Sequence, residues 1–240
     1  MKFIIACEVT GVVTEALIKL GHDARSCDIL PSEKNIPHIQ DDILNHLDGD
    51  YDGMIAFPPC THLTVSGARW FKDKWLEQQL ALLFVLKLMN APIPLIAIEN
   101  PIGVISTRIR KPDQIIQPWQ FGHGETKATC LWLSGFSPLK PTNIVEGRYP
   151  RIHKEPPSQN RGAIRSRTYQ GIALAMANQW GDKLHEMKAR VIPKRRRNFG
   201  IMVNEDYLTK EEFEALLKKA AQPLLKLEQG SPRADSTSSE

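Results

Sequence analysis

Residues 2–29 read KFIIACEVTGVVTEALIKLGHDARSCDI. Lys2 to Cys7 is a short apolar run of strand length, Glu8-Val9-Thr10-Gly11 is a turn, and Val12 to Leu20 carries the spacing of an amphipathic helix that stops at Gly21. A second strand, His22 to Ile29, ends in Asp28. Strand, loop, helix and strand in that order open a parallel α/β sheet. Asp28 falls about 20 residues after the first turn, where a carboxylate in a nucleotide-binding α/β fold accepts hydrogen bonds from ribose hydroxyls. The loop has one glycine, Gly11, instead of a glycine-rich phosphate cradle. A loop that need not hold a pyrophosphate needs fewer glycines, so the pattern favours an adenosyl ligand without phosphates.

Working outward, Ile39 to Leu44 (IQDDIL) reads as a third short strand with Asp41 and Asp42 near its end, although a polar surface turn accounts for the pair as well. Asp52 to Ala68, DGMIAFPPCTHLTVSGA, puts a buried strand ahead of Pro58-Pro59-Cys60. Two fixed proline φ angles then hold a thiol at the carboxyl edge of the sheet, where open α/β folds bind ligands. A free cysteine is most often a small buried hydrophobe. Here, however, polar Thr61, His62, Thr64 and Ser66 follow it, which a packed core thiol would rarely have. Nucleophile and core residue stand near even on this ground alone.

Trp75 to Met89 reads as a helix with Leu76, Leu80, Leu83, Phe84 and Leu88 on its buried face. Leu95 to Ile98 is another apolar strand, followed at once by Glu99-Asn100-Pro101, so a second functional group arrives at the same edge as the thiol. The alternative for Glu99 is a capping or surface carboxylate. Thr129 to Leu133 is a further strand with Lys127 at its mouth. Pro138 to Ser158 reads as irregular. Arg161, Arg165 and Arg167 follow, and Gly171 to Trp180 is a small-residue helix suited to close packing. Beyond Gly200, Thr209-x-x-Glu212 is a capping box opening a helix that Pro223 should kink or shorten.

The expected organisation is one α/β domain over residues 1–185, a basic linker and helical appendage over 186–228, and a disordered tail over 229–240. With 42% hydrophobic residues in 240, a substantial core is available. Cys7, Cys27, Cys60 and Cys130 lie far apart with no Cys-x-x-Cys pair, so neither a zinc site nor a disulfide framework is indicated. A reducing cytoplasm fits that usage. The amino-terminal apolar run is too short for a secretory signal, and no window approaches a membrane span. Net charge is +4, compatible with a polyanionic partner. Lys188, Arg190, Lys194, Arg195, Arg196 and Arg197 form either a solvated linker or a phosphate-contacting patch.

With these pieces in order, the chain resembles the DNA (cytosine-5) methyltransferases, and more closely their short phage and prophage members, over about residues 1–182. FPPCTHLTVSGA is similar to that family's Pro-Cys motif and IENP to its Glu-Asn motif. ACEVTG resembles the cofactor loop, CDI and DDI the acidic positions after it, and GIALAMANQW the closing helix. GETKATCLWLSG is similar to a strand that carries two arginines in the family, where this chain has Lys127 and Thr129.

The resemblance implies a doubly wound Rossmann-like S-adenosylmethionine-dependent methyltransferase fold with a small helical appendage. It implies S-adenosylmethionine as cofactor, held by Cys7, Glu8, Gly11, Asp28, Asp42 and Pro58. Catalysis would fall to Cys60, Glu99 and Lys127, and DNA, duplex or single-stranded, would be held by Arg161, Arg165 and Arg167. Carbon 5 of cytosine is too weak a nucleophile to take a methyl group until a thiolate adds to carbon 6, which explains a cysteine beside a carboxyl and a cation. The segment between TCLWLSG and the arginines is only about 30 residues, too short for extensive sequence readout by the ordinary recognition domain. Two other readings use the same residues: a catalytically silent relative that binds nucleic acid or a host protein, and the same chemistry on a free cytosine nucleotide.

Overall fold

A computed structural model describes residues 1–65, 74–159 and 161–182. The first strand, β1 (Lys2–Ala6), leads through a turn into α1 (Val12–Lys19), and β2 (Asp23–Asp28) and β3 (His38–Gln40) follow. Next come β4 (Gly53–Ala56), α2 (Trp75–Met89), β5 (Leu95–Pro101) and the one-turn α3 (Ile105–Arg108). The chain then forms β6 (Gln114–Ile116), β7 (Thr129–Ser134), the short α4 (Arg151–Lys154) and α5 (Arg161–Ser166), and α6 (Gln170–Trp180).

Seven strands form one sheet in the order β3-β2-β1-β4-β5-β7-β6. The first five neighbours run parallel, and β7 lies antiparallel between β5 and β6. Alternation along each strand divides the core. Phe3, Ile5, Ile55, Leu95 and Ala97 point to the face covered by α1 and α6, while Ile4, Ala6, Met54, Ile96 and Ile98 point to the face covered by α2. Helices on both faces make the sheet doubly wound. Its order reverses beside β1, between strands leading outward to β3 and strands leading outward through β4. This is the expected doubly wound, Rossmann-like α/β fold.

The small-residue helix packs as closely as its composition predicts: Ala173, Ala177, Met176 and Trp180 of α6 are all sealed from solvent against α1 and the sheet. The face of α2 is a correction. Gln78, Leu82, Val85, Leu86, Leu88 and Met89 are buried, so of the predicted row only Leu88 is among them. That helix is apolar on nearly every side, and spacing alone could not select the inward stripe. In IQDDIL only Ile39 and Gln40 are strand, and Ile43–Asn45 is a single tight turn capped by Asp42. The three-residue β6 was not foreseen, and the stretch read as irregular contains α4. The linker, appendage and tail, with Lys188, Arg190 and residues 194–197, lie outside the described residues, as does Ser66.

Candidate active site

The polypeptide leaves β4 with one last ladder bond, Phe57 N–H to the Ala6 carbonyl at 2.9 Å. Pro58 and Pro59 have no N–H to extend it, so pairing ends there. The side-chain amide of buried Asn100 donates to the Pro58 carbonyl at 2.8 Å and ties this exit to the end of β5. Cys60 follows, half-buried, with its own carbonyl accepting from Leu63 and Thr64 at 3.0 Å each. The tight turn then runs alongside residues 102–104: Val65 N–H donates to the Ile102 carbonyl at 3.2 Å and Val104 N–H to the Leu63 carbonyl at 2.8 Å. A Cβ at Gly103 would lie 2.0 Å from the Leu63 oxygen, so only glycine permits this docking.

Glu99 stands at the carboxyl end of β5, the neighbour of β4, and opposite Leu131 of β7. Thr129 pairs with Pro101, which places its side chain on the same face as that of Glu99. Burial raises the Glu99 pKa, opposed by the Lys127 ammonium and by a hydrogen bond with the Thr129 hydroxyl. Burial also raises the Cys60 thiol. The negative charge of Glu99 adds to that, and the charges of Lys127 and Arg165 oppose it. One cation therefore acts on both groups. Lys127 is itself held in place, donating to the Arg167 carbonyl at 3.3 Å and lying 5.9 Å from the centroid of the Tyr169 ring.

Cys7, Asp28, Asp42 and Pro58 all lie at the ends of β1–β4 or just beyond. Cys7 adopts a left-handed φ of 59° and its N–H donates to the Cys27 carbonyl at 2.7 Å. Burial pushes its thiol well up, helped by the charges of Asp28, Cys27 and Asp42. Glu8 is buried and accepts from the N–H groups of Val13 at 2.7 Å and Thr14 at 3.2 Å and from the Thr14 hydroxyl at 2.5 Å. Its carboxylate thus caps the start of α1, which helps explain the turn. Gly11 sits at φ 61°, and a Cβ there would come within 2.5 Å of Ile36. Asp28 accepts from Leu30 N–H at 2.9 Å, and burial raises its pKa. Asp42 accepts from Leu44 N–H at 2.9 Å. Exposed apolar Ile29 and Leu30 adjoin Asp28.

The three arginines have separate surroundings. Arg165 is the one whose charge reaches Cys60. Arg161 donates from Nε to the Glu155 carbonyl at 2.7 Å. Arg167 makes a forked pair with Glu33 at 2.8 and 3.0 Å, and Glu33 N–H in turn donates to the Val9 carbonyl in the first loop at 2.8 Å. One residue thereby connects the loop after β1 with the ammonium beside the thiol. Asn100, Gly103 and the trio Glu125, Arg151 and Tyr169 escaped the sequence reading. Asn100 sits within the IENP already singled out and could have been found there. The Tyr169 hydroxyl donates to Glu125 at 2.6 Å and Arg151 Nε donates at 2.9 Å, contacts between distant segments that no local pattern carries.

Among the described residues no group of histidine, cysteine and acidic side chains could hold a metal ion, and no helix is long and apolar enough to cross a membrane. Fold and site together define a doubly wound α/β protein with a thiol, a carboxyl group and a cation gathered at its carboxyl edge. No protein-family model and no curated protein matches the sequence. Solved structures do match. One is a protein provisionally described as a DNA modification methyltransferase encoded within an E. coli prophage, at 14% identity and a TM-score of 0.39, covering 55% of this chain and 46% of that one. The chain thus spans about half of that protein's length.

Proposed function

We propose that this protein transfers a methyl group from S-adenosylmethionine to carbon 5 of cytosine in DNA through a covalent adduct of Cys60. One observation carries the reading: Cys60 lies just beyond the end of β4, Glu99 lies near the end of its parallel neighbour β5, and the cation Lys127 acts on both. A pure binding module needs neither group so placed.

The residues at the other strand ends suit the cofactor. Asp28 and Asp42 concentrate negative charge around Cys7, favourable for a sulfonium cation, and Asp28 with exposed Ile29 and Leu30 offers a carboxylate beside apolar surface for an adenosyl group. The left-handed Gly11 lets the backbone turn tightly there. When bound, the cofactor supplies an electrophilic methyl group.

Glu99, protonated over a wider pH range than an ordinary carboxyl, donates to nitrogen 3 of the cytosine and draws electron density toward that side of the ring. In that form it also carries no charge to oppose the Cys60 thiolate, while Lys127 and Arg165 favour it. The sulfur forms a bond to carbon 6, and the carbon 5–carbon 6 π pair moves onto carbon 5, which takes the methyl group. A base then removes the carbon 5 proton. Those electrons restore the double bond as the carbon–sulfur bond breaks and the thiolate leaves.

Incubation with methyl-labelled S-adenosylmethionine and DNA, followed by digestion, should yield labelled 5-methylcytosine. DNA containing 5-fluorocytosine should trap the wild-type protein covalently, because fluorine cannot be removed as the proton is. Label absent from cytosine, or an adduct that still forms with Cys60→Ala, rejects the reading.

A further inference from the structure

Residues 141–170 carry six Lys or Arg against two Glu, a net +4 that equals the formal net charge of the entire chain. The balance of positive charge therefore belongs to one segment, and that segment is fastened beside the catalytic edge. It runs along residues 117–126, bridging Phe121 to Asn143 and Glu125 to Tyr149. Thr126 N–H donates to the Tyr149 carbonyl at 3.2 Å, one residue before Lys127.

Three cation–aromatic pairs lie on this segment and on the residues beside it. Arg148 lies 3.9 Å from the centroid of the Trp119 ring, Lys154 4.8 Å from that of Tyr149, and Lys127 5.9 Å from that of Tyr169. Glu125, bridged to Tyr149 through its backbone and bonded through its carboxylate to Arg151 and Tyr169, joins the second pair to the third. Glu125 is thus neutralised within the surface, leaving Glu146 and Glu155 as the acidic groups of the segment. Tyr149 is 55% exposed, and Arg148, Arg151 and Lys154 are exposed as well, so rings and charges are available together.

We propose that this row of cation–aromatic pairs is a track for a single DNA strand, leading the target base to Cys60. Phosphates meet the cations and unpaired bases stack on the rings, a combination suited to single strands because every base offers a π face. The longest helix of the segment before α6 is the six-residue α5, too short to read a major groove over several base pairs. The inference rests on the proposed reaction for the identity of the strand, but binding is measurable without methyl transfer.

Fluorescence anisotropy of the full-length protein with one labelled oligodeoxynucleotide, as single strand and as duplex, across a salt series, tests it. The wild type should bind the single strand more tightly. Arg148→Glu with Lys154→Glu should weaken that binding at least tenfold and flatten the salt slope by about 1.4, two phosphates at roughly 0.7 each. Tyr149→Ala should weaken it about fivefold or more. Lys111→Glu, ahead of β6 at the opposite end of the sheet, should leave it unchanged. Equal affinity and slope in the double variant, preference for the duplex, or tighter binding of the corresponding RNA each overturns the proposal. Single-strand binding with these losses but no methyl transfer would retain the track and reject the reaction.

Discussion

At the scale of single residues, Glu99 holds the opposing demands of the site. Its folded-state pKa is raised from an ordinary value of 4.5, so the folded protein binds its proton more tightly than the unfolded chain does. Stability is therefore unaffected while both states are protonated, and falls as pH rises past the unfolded value toward the folded one. Glu99→Gln removes the ionisation. The variant should match the wild type in denaturant unfolding at low pH and exceed it at neutral and higher pH, while methyl transfer slows about 10²–10⁴-fold. A variant less stable than wild type at neutral pH would show that the carboxylate charge is satisfied in the fold. Buried Cys27 and Cys130, with thiols pushed up to about 12 and about 11 chiefly by burial, behave as core residues and not as nucleophiles.

At the scale of elements, the turn that carries Cys60 keeps its place because it docks on the end of β5. Gly103 permits backbone contact with Leu63, and Asn100 holds Pro58 from the same strand end. Gly103→Ala forces the two backbones apart. We expect it to cost about 1–3 kcal/mol in urea unfolding, the range for overpacking. Turnover should fall about 100-fold, as for a reacting group displaced by about 1 Å. Affinity for the proposed cofactor, which that reading assigns chiefly to Cys7, Glu8, Gly11, Asp28 and Asp42 around the ends of β1 to β3, should change less than twofold in calorimetry. Loss of cofactor binding together with activity would mean that the two halves of the edge are not built independently.

At the scale of the whole molecule, Arg167 spans the two halves. Its side chain pairs with Glu33, whose backbone supports the loop after β1, and its carbonyl holds Lys127. Filling either half should therefore favour the other, and such coupling is reciprocal. The pair is 53% and 41% exposed, so its contribution is at most about 1 kcal/mol, roughly a fivefold effect. Arg167→Glu or Glu33→Arg alone should reduce the enhancement of cofactor binding by DNA, and the two together should restore it. Isothermal titration with and without DNA measures this. Equal coupling in all four proteins would show that the bridge carries none.

By itself the sequence determined what neighbouring residues can encode: the periods of the strands and helices, the stop at Pro58-Pro59, and the thiol and carboxyl just beyond two apolar strands. Those signals are local, because side-chain alternation and proline stiffness act over a few residues. The inward face of α2 was not legible, since apolar side chains surround that helix and only the sheet selects which row is buried. Nor was β6, whose three residues acquire their pairing only from β7. Tertiary structure alone decided that Lys127 acts on Cys60 and Glu99, that Thr129 shares a face with Glu99, and that Glu33 meets Arg167 across 134 residues of chain. Such contacts join segments whose spacing in sequence is arbitrary. They exist because the sheet order brings the ends of β1, β4 and β5 to one edge and the chain returns to that edge at Lys127, ahead of β7, and again at Arg165 and Arg167.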